Sequence, residues 1–242
     1  MTPTLTFALL AGGSILLTTG LAIAFEMPRR RRWGSKELTG WSGRAFVAAM
    51  VVLIAMLPPL FYQAIGTAVL GHAPLPEGLV DNASLAAMVF AAAMFGVIGW
   101  CERTPRSQEV PIGWDTRREL IFESSRLATI ASLVLGSFCV VTIHLAFVFE
   151  SAVLVSTSML GIPPMSIAIG MLARRLSRSS YVCVLVPLAF ATTMVSAVQL
   201  IMARGGAGPE YEAPLTLLYL IFGVGGGLLG TLAAPNAADG RP

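Results

Sequence analysis

The chain has 242 residues, of which 55% are hydrophobic and only 12% are charged, and its mean hydropathy is +0.77. This composition excludes a soluble globular domain, in which about a quarter of the residues are charged. The formal charge is +3 and the pI is about 9.0, but the basic residues lie in short loops beside apolar runs. That placement is typical of a membrane protein and not of a nucleic-acid-binding patch, so the lipid bilayer is the expected partner and no nucleic acid is expected.

Apolar runs of about 20 residues recur along the chain, and each is long enough to cross a hydrocarbon core of roughly 30 Å as a helix. The sequence therefore predicts an all-α, polytopic membrane protein that forms one seven-helix domain over residues 1–242. In chain order the predicted helices are Thr4–Phe25, Ala45–Leu70, Ala83–Cys101, Leu127–Phe149, Val153–Ala173, Tyr181–Met202 and Pro214–Ala234.

The first apolar run is predicted to be a retained helix and not a signal peptide. A signal peptide carries its positive charge before a short apolar core, whereas here the arginines Arg29 to Arg32 follow a long one. This helix is expected to start outside the cell.

The basic residues alternate between the predicted loops, which predicts the orientation of the chain. The first, third and fifth loops hold most of them, whereas the second has none and the sixth has only Arg204. Cytoplasmic loops carry an excess of Lys and Arg, so the odd loops and the carboxyl terminus are predicted to be cytoplasmic. The third loop, residues 102–126, is interpreted either as a solvated linker or as a segment with a short amphipathic helix on the lipid headgroups.

The connection between the fourth and fifth helices has no strong turn signal. Apolar sequence runs from Leu127 to Leu172, and one straight helix of that length would exceed the bilayer. A reversal is therefore expected between Glu150 and Ser158. Part of this stretch could instead be kinked or re-entrant.

Prolines and glycines mark candidate hinges and packing surfaces. Proline denies a hydrogen-bond partner to a carbonyl of the preceding turn, and the candidate hinges are Pro58, Pro59, Pro163 and Pro164. The last helix contains "GVGGGLLG", in which small residues at GxxxG spacing allow close helix packing. We refer to Gly223, Gly226, Gly227 and Gly230 as the glycine face.

Three polar side chains lie at one depth on three helices that run in the same direction. Gln63, His144 and Gln199 are each about four to seven residues from the predicted outer end of the second, fourth and sixth helices. Polar groups in hydrocarbon are costly unless paired, so these three are predicted to face one another. Tyr62, Thr142 and Ser196 are the expected neighbours in this candidate ligand-binding pocket. The competing interpretation is that the residues only join helices through hydrogen bonds.

This arrangement resembles the MHYT family of bacterial seven-helix sensory domains over nearly the whole chain. That family carries Met-His-Tyr-Thr-like motifs near the outer ends of the second, fourth and sixth helices. Here "YQAI" from Tyr62, "IHLA" from Ile143 and "VQLI" from Val198 stand in the corresponding places. The resemblance implies a bacterial cytoplasmic membrane and a role in signal transduction.

The resemblance also implies a metal, with copper as the candidate at His144. The chain departs from the family pattern, because Gln63 and Gln199 stand where two family histidines would be, and no methionine precedes any of the three. One imidazole without methionine is a poor copper site. Family members are often joined to cytoplasmic signalling domains, whereas this chain ends soon after "AAPNAADGRP". Output is therefore expected to pass through a protein partner in the membrane or the cytoplasm.

No catalytic motif such as GxSxG, a P-loop or HExxH is present in the sequence, so the chain is not expected to be an enzyme. The leading hypothesis is a non-enzymatic sensory or regulatory module with a polar pocket near the outer leaflet. A second hypothesis is an accessory subunit that packs against a larger membrane complex through the glycine face. A third is a small transporter or channel that uses its proline-interrupted helices.

Overall fold

The computed structural model describes residues 1–32, 41–75, 78–103, 114–176, 180–204 and 212–233, and within these ranges the chain is helical and contains no strand. The helices are α1 (Pro3–Phe7), α2 (Gly13–Arg32), α3 (Trp41–Leu70), α4 (Leu79–Arg103), α5 (Trp114–Phe147), α6 (Ala152–Met159), α7 (Ile162–Leu176), α8 (Ser180–Arg204) and α9 (Glu212–Ala233). A π-helical segment, Ala8–Gly12, joins α1 to α2. The predicted all-α class is thus confirmed.

Among the described residues, five stretches of helix are long and apolar enough to cross a membrane: Pro3–Phe25, Trp41–Leu70, Ser125–Phe147, Val153–Arg175 and Val184–Met202. Two further apolar helices, Ser84–Gly99 and Leu217–Gly230, are shorter. Many large apolar side chains, among them Leu16, Val153 and Leu232, are exposed on the outside of the bundle. An apolar exterior of this kind is compatible with a polytopic membrane protein, because lipid and not water is its solvent.

The first predicted helix, Thr4–Phe25, contains a change of helical geometry. Residues Ala8–Gly12 are π-helical, so each backbone N–H there bonds five residues back and not four. The extra residue places both Leu10 and Ala11 in the core. Below this point Ser14 Oγ donates to the Leu10 carbonyl and Thr18 Oγ1 donates to the Ser14 carbonyl at 2.8 Å, so these buried hydroxyls are satisfied within the helix.

The bundle is held together around α3, α4, α5 and α8. Helices α3 and α4 pack together, α5 packs on α3, and α8 packs on α4 and α9. Large side chains such as Tyr62, Phe90, Met94 and Phe190 are fully buried between them. The Phe90 and Phe190 rings meet edge to face at 6.5 Å between centroids, which joins α4 to α8.

The chain reverses at the start of the predicted interval. Helix α5 ends at Phe147, Glu150 has a positive φ of 50°, and Ser151 caps α6 by accepting the Leu154 N–H. The predicted fifth helix, Val153–Ala173, is two helices, because α6 ends at Met159 and α7 begins at Ile162. These two helices follow the reversal and α7 packs back on α5.

The four candidate hinge prolines take two different positions. Pro163 and Pro164 lie in the first turn of α7, where the missing N–H groups have no helical partner to lose, so they start a helix and do not interrupt one. Pro58 and Pro59 lie inside α3, which continues through them.

The segment of α3 around its prolines is a site of close approach between helices. A Cβ atom added at Gly136 of α5 would lie 2.6 Å from the Ala55 carbonyl oxygen and 2.9 Å from Pro58 Cγ. Pro59 leaves the Ala55 carbonyl without its usual helical donor, and the Gly136 Cα is the group that approaches it. Weak Cα–H···O contacts of this kind are common between helices.

Helix α5 begins earlier than the sequence predicts. It has 34 residues and starts at Trp114, not at Leu127, so at 1.5 Å per residue it is roughly 51 Å long. Residues 114–126 of the expected cytoplasmic loop are therefore a continuation of a transmembrane helix and not a separate amphipathic helix, and residues 104–113 lie outside the described part of the chain. Extending an existing helix costs much less free energy than nucleating a new one, which explains why α5 begins before Leu127.

The glycine face packs against helices of the same chain. A Cβ atom at Gly226 would lie 3.0 Å from the Pro163 carbonyl oxygen, and one at Gly230 would overlap the Ile167 carbonyl. In the same contact, a Cβ atom at Gly170 of α7 would overlap the Gly227 carbonyl of α9. All four glycines of the face are buried. The glycine face is therefore an internal α7–α9 and α8–α9 contact, and not the surface for a partner that the accessory-subunit hypothesis requires.

The substitution Gly230→Ala is expected to lower the free energy of unfolding by about 1–3 kcal/mol, because the added methyl group forces two helix backbones apart. The measurement is reversible unfolding of the purified protein in detergent. Gly225→Ala is the matched control on the same helix, because a Cβ atom there has nothing within 4 Å. Equal stability of the two variants would contradict the close α7–α9 packing.

Candidate functional site

His144 is fully buried near the carboxyl end of α5, three residues before the helix ends at Phe147. Its Nδ1 atom lies 2.8 Å from the hydroxyl oxygen of Tyr62 on α3, which is also fully buried. This hydrogen bond connects two helices through residues that are 82 positions apart in the chain. In a low-dielectric interior such a bond is stronger than the same bond in water.

The second ring nitrogen of His144 has no hydrogen-bond partner. Nε2 is buried and unpaired, whichever of the two groups donates in the bond between Nδ1 and Tyr62. If the Tyr62 hydroxyl donates to Nδ1, Nε2 carries a hydrogen that finds no acceptor. In the other tautomer Nε2 carries a lone pair that finds no donor. An unsatisfied buried polar atom of this kind costs about 1–3 kcal/mol.

Three aromatic rings surround the imidazole. The ring centroids of Phe7, Phe149 and Tyr62 lie 5.1, 5.5 and 5.8 Å from that of His144, each in an edge-to-face arrangement. The Tyr62 hydroxyl group bonds to Nδ1, whereas the phenyl rings of Phe7 and Phe149 offer the imidazole no polar group. We refer to His144, Tyr62, Phe7 and Phe149 as the imidazole cage.

Different local structures place the two phenylalanines. Phe7 is the last residue of α1 and comes directly before the π-helical segment. Phe149 follows the end of α5, where its backbone N–H donates to the His144 carbonyl at 3.3 Å and Glu150 adopts a positive φ. The sequence interpretation of Glu150 as a marker of the helix end agrees with this turn.

Gln63 is engaged with the loop after α3 and not with His144. Its Oε1 accepts the backbone N–H of Leu75 at 3.2 Å, and Leu75 is buried in the core. Pro74 packs against Gly66, where a Cβ atom would overlap it. The amide of Gln63 therefore fastens the loop onto the end of α3.

The other predicted pocket residues are also placed by the structure. Thr142 is buried and donates to the Phe138 carbonyl at 2.9 Å, and Ser196 is exposed and donates to the Thr192 carbonyl at 2.8 Å, so both hydroxyls bond within their own helices. Gln199 is half-buried. Neither nitrogen of His144 has a hydrogen bond to Gln63 or Gln199, so Tyr62 takes the place that the expected triangle gave to a glutamine.

The reasoning from sequence did not identify Phe7 and Phe149. Only the depths of polar residues on the even-numbered helices were compared, so Phe7 on the first helix and Phe149 at the turn were not considered. A signal was present, because both phenylalanines lie within a few residues of the end of an apolar run: Phe7 near the start of the first run, and Phe149 at the end of the run that contains His144. That depth argument applies equally to apolar side chains.

The residues around His144 do not fit copper. Across the described part of the chain there is no group of three His, Cys, Asp or Glu side chains that could hold a metal ion. The immediate neighbours of His144 are a phenol and two phenyl rings, whereas copper requires several nitrogen or sulfur ligands.

Ser166 Oγ on α7 is the other buried side-chain atom in the described residues without a hydrogen-bond partner. It lies in the tight contact between α7, α8 and α9, where Ile162 and Ala191 approach Gly223. Packing leaves no space there, so His144 is the stronger candidate for a functional group.

No protein-family model, no curated protein and no solved structure matches this chain.

The substitution Tyr62→Phe is expected to lower the free energy of unfolding by about 1–2 kcal/mol, because it leaves both nitrogens of His144 unsatisfied. The double substitution Tyr62→Phe with His144→Phe is expected to restore at least the stability of the wild type, since it removes both nitrogens of His144. Unfolding in detergent measures both variants. Thr142→Val is the control, because its hydroxyl bonds only within α5. A double variant no more stable than Tyr62→Phe would contradict the assignment of Nε2 as unsatisfied.

Proposed function

We propose that this protein is a non-enzymatic, seven-pass sensory or regulatory module of a bacterial cytoplasmic membrane, and that the imidazole cage is its input site. The observation that carries the proposal is the unsatisfied Nε2 of a fully buried His144. A residue that only joins helices would be expected to satisfy both of its nitrogens. Ionisable residues inside a membrane are functional candidates by default.

The position of the cage also supports a sensory role. It joins α1, α3 and the turn after α5, so a group that binds Nε2 would change the packing of three separate elements. Helix α5 then runs without a break from His144 to Trp114, which is roughly 45 Å along its axis. A continuous helix is a direct mechanical route from the outer end of the bundle to the opposite side, where a protein partner would receive the change.

The alternative functions have less support. The glycine face, which an accessory subunit would use for its partner, is buried inside the chain. Of the prolines that a transporter would use as hinges, two start α7 and two lie in a helix that continues through them. The sensory function is therefore the one that the geometry supports best.

Seven passes with an external amino terminus fit both the charge distribution and the packing at the predicted inner ends. Trp41, at the start of α3, lies 4.7 Å from the Phe95 ring, and the Arg44 guanidinium lies 5.9 Å from the same ring. Arg174 and Arg175 lie in the last turn of α7. Aromatic and basic side chains of this kind anchor helices at the cytoplasmic interface, and the imidazole cage lies at the other end of α3.

Cysteine labelling tests this orientation. In a chain whose native Cys101, Cys139 and Cys183 are replaced by alanine, Ala73→Cys is expected to react with a membrane-impermeant maleimide in intact spheroplasts. Ser35→Cys, in the first predicted loop, is expected to react only after lysis. Labelling of Ser35→Cys from outside, or of both positions from the same side, would contradict the proposed topology.

Replacement of His144 in the native host tests the sensory function. Under a condition in which deletion of the protein changes the transcript profile of the host, His144→Phe is expected to reproduce the profile of the deletion at an unchanged protein level. His72→Gln is the matched control, because His72 is exposed and is the only other histidine. A His144→Phe strain with a wild-type profile would place the function outside the imidazole cage.

A further inference from the structure

We infer that α1 is a lid on the imidazole cage, hinged at the π-helical segment, and that it admits an uncharged molecule of about the size of phenol that carries one hydrogen-bonding group. This inference rests on the proposed function, because it assigns the entrance and the ligand class of the same site. Two features carry it: the contact between Phe7 and His144, and the π-helical segment that follows Phe7.

Helix α1 is held by its last two residues. It has five residues, of which Pro3, Thr4 and Leu5 are exposed, Thr6 is buried and Phe7 is half-buried. The π-helical segment, and not α1, makes the main contacts with α3 and α5. The Phe7 ring, 5.1 Å from the imidazole, is therefore the principal attachment of α1 to the site.

The π-helical segment supplies the hinge. It holds one more residue per turn than an α-helix, because its hydrogen bonds span five residues and not four. Conversion of this segment to α-helix moves α1 by one residue of register, which is about 100° of rotation and 1.5 Å of rise. That rotation carries Phe7 away from His144.

Phe149 is a less suitable lid than Phe7. Its backbone N–H bonds to the His144 carbonyl at 3.3 Å, and the next residue adopts the positive φ that ends α5. Movement of Phe149 would therefore break the end of α5, whereas movement of Phe7 rearranges only the hydrogen bonds of the π-helical segment.

The chemistry of the cage defines the ligand class. Tyr62 occupies Nδ1, so Nε2 is the group that a ligand would bind. The space that Phe7 leaves is the size of one phenyl ring and is walled by aromatic side chains, so the body of the ligand is apolar. A charged ligand would be costly at this depth. One hydroxyl group on a small apolar body satisfies Nε2 in either tautomer, whereas a carbonyl group satisfies it only when Nε2 carries the hydrogen.

Nitrogen NMR of isotope-labelled histidine in lipid nanodiscs tests the lid. His72→Gln leaves His144 as the only imidazole of the chain, and a tag without histidine is used for purification. Phenol is the probe, and toluene is the matched probe without a hydroxyl group. In the His72→Gln background, phenol is expected to shift the Nε2 signal of His144, and toluene is expected to leave it in place.

Two changes in opposite directions test the hinge. Phe7→Ala is expected to lower the phenol concentration for half of the Nε2 shift by about tenfold, because the lid no longer fills the cage. Deletion of Leu9 removes the extra residue of the π-helical segment. The segment then forms an α-helix while the Phe7 ring keeps its contact with His144. This deletion is expected to raise that concentration by about tenfold. Leu9→Ala is the control, because Leu9 is 42% exposed and its truncation keeps the length of the segment.

The outcomes separate the lid from the site. If Phe149→Ala sensitises His144 to phenol and Phe7→Ala does not, the lid assignment is wrong while the imidazole cage remains the input site. If toluene shifts Nε2 as phenol does, the ligand class is wrong. If phenol fails to shift Nε2 in every variant while each unfolds at the wild-type temperature, the lid and the proposed function are both overturned.

Discussion

The hydrogen bond of 2.8 Å between Tyr62 and His144 is the interaction on which the packing at this end of the bundle depends. It lies between helices that face lipid, where no water is present to form a hydrogen bond with an unpaired polar group. The bond satisfies Nδ1 and leaves Nε2 enclosed by aromatic rings without a partner. The same contact therefore stabilises the association of α3 with α5 and keeps one polar atom available, which is the combination expected of a binding site inside a membrane.

A rigid framework supports this arrangement from the other side of the bundle. The glycines of α7 and α9 bring two backbones into contact, and Gly136 does the same for α5 against the proline-containing turn of α3. Apolar side chains gain little by leaving lipid for one another, so close backbone packing is the main way in which such helices associate. Because their backbones are in contact, these helices cannot slide past one another. In the inferred lid motion, α1 is the element that moves relative to the cage and the π-helical segment is its hinge.

Helix α5 packs against helices that come before and after it in the chain, α3 and α4 on one side and α7 and α8 on the other. The imidazole cage lies near its carboxyl end, the Gly136 contact lies about two turns closer to its amino end, and the helix begins at Trp114. Under the proposed function, a change at His144 would reach α1 and α3 through their direct contacts with the imidazole, and α8 through α5, against which it packs. The coupling would be a small displacement of a packed helix, and such displacements are one of the usual ways in which helical proteins switch between states.

The class of the protein and the approximate position of its helices could be predicted from the sequence, because the length of an apolar run is a local property that the thickness of the bilayer makes meaningful. His144 could be identified for the same reason, since its depth follows from its distance to a helix end. Its partner could not be predicted. Tyr62 and Gln63 are adjacent in sequence but about 100° apart around α3, so the choice between them depends on the rotation of α3, which its contacts with neighbouring helices set. The π-helical segment and the division of the predicted fifth helix into α6 and α7 likewise arise from packing between helices, and contacts between distant residues leave no periodic pattern in the chain.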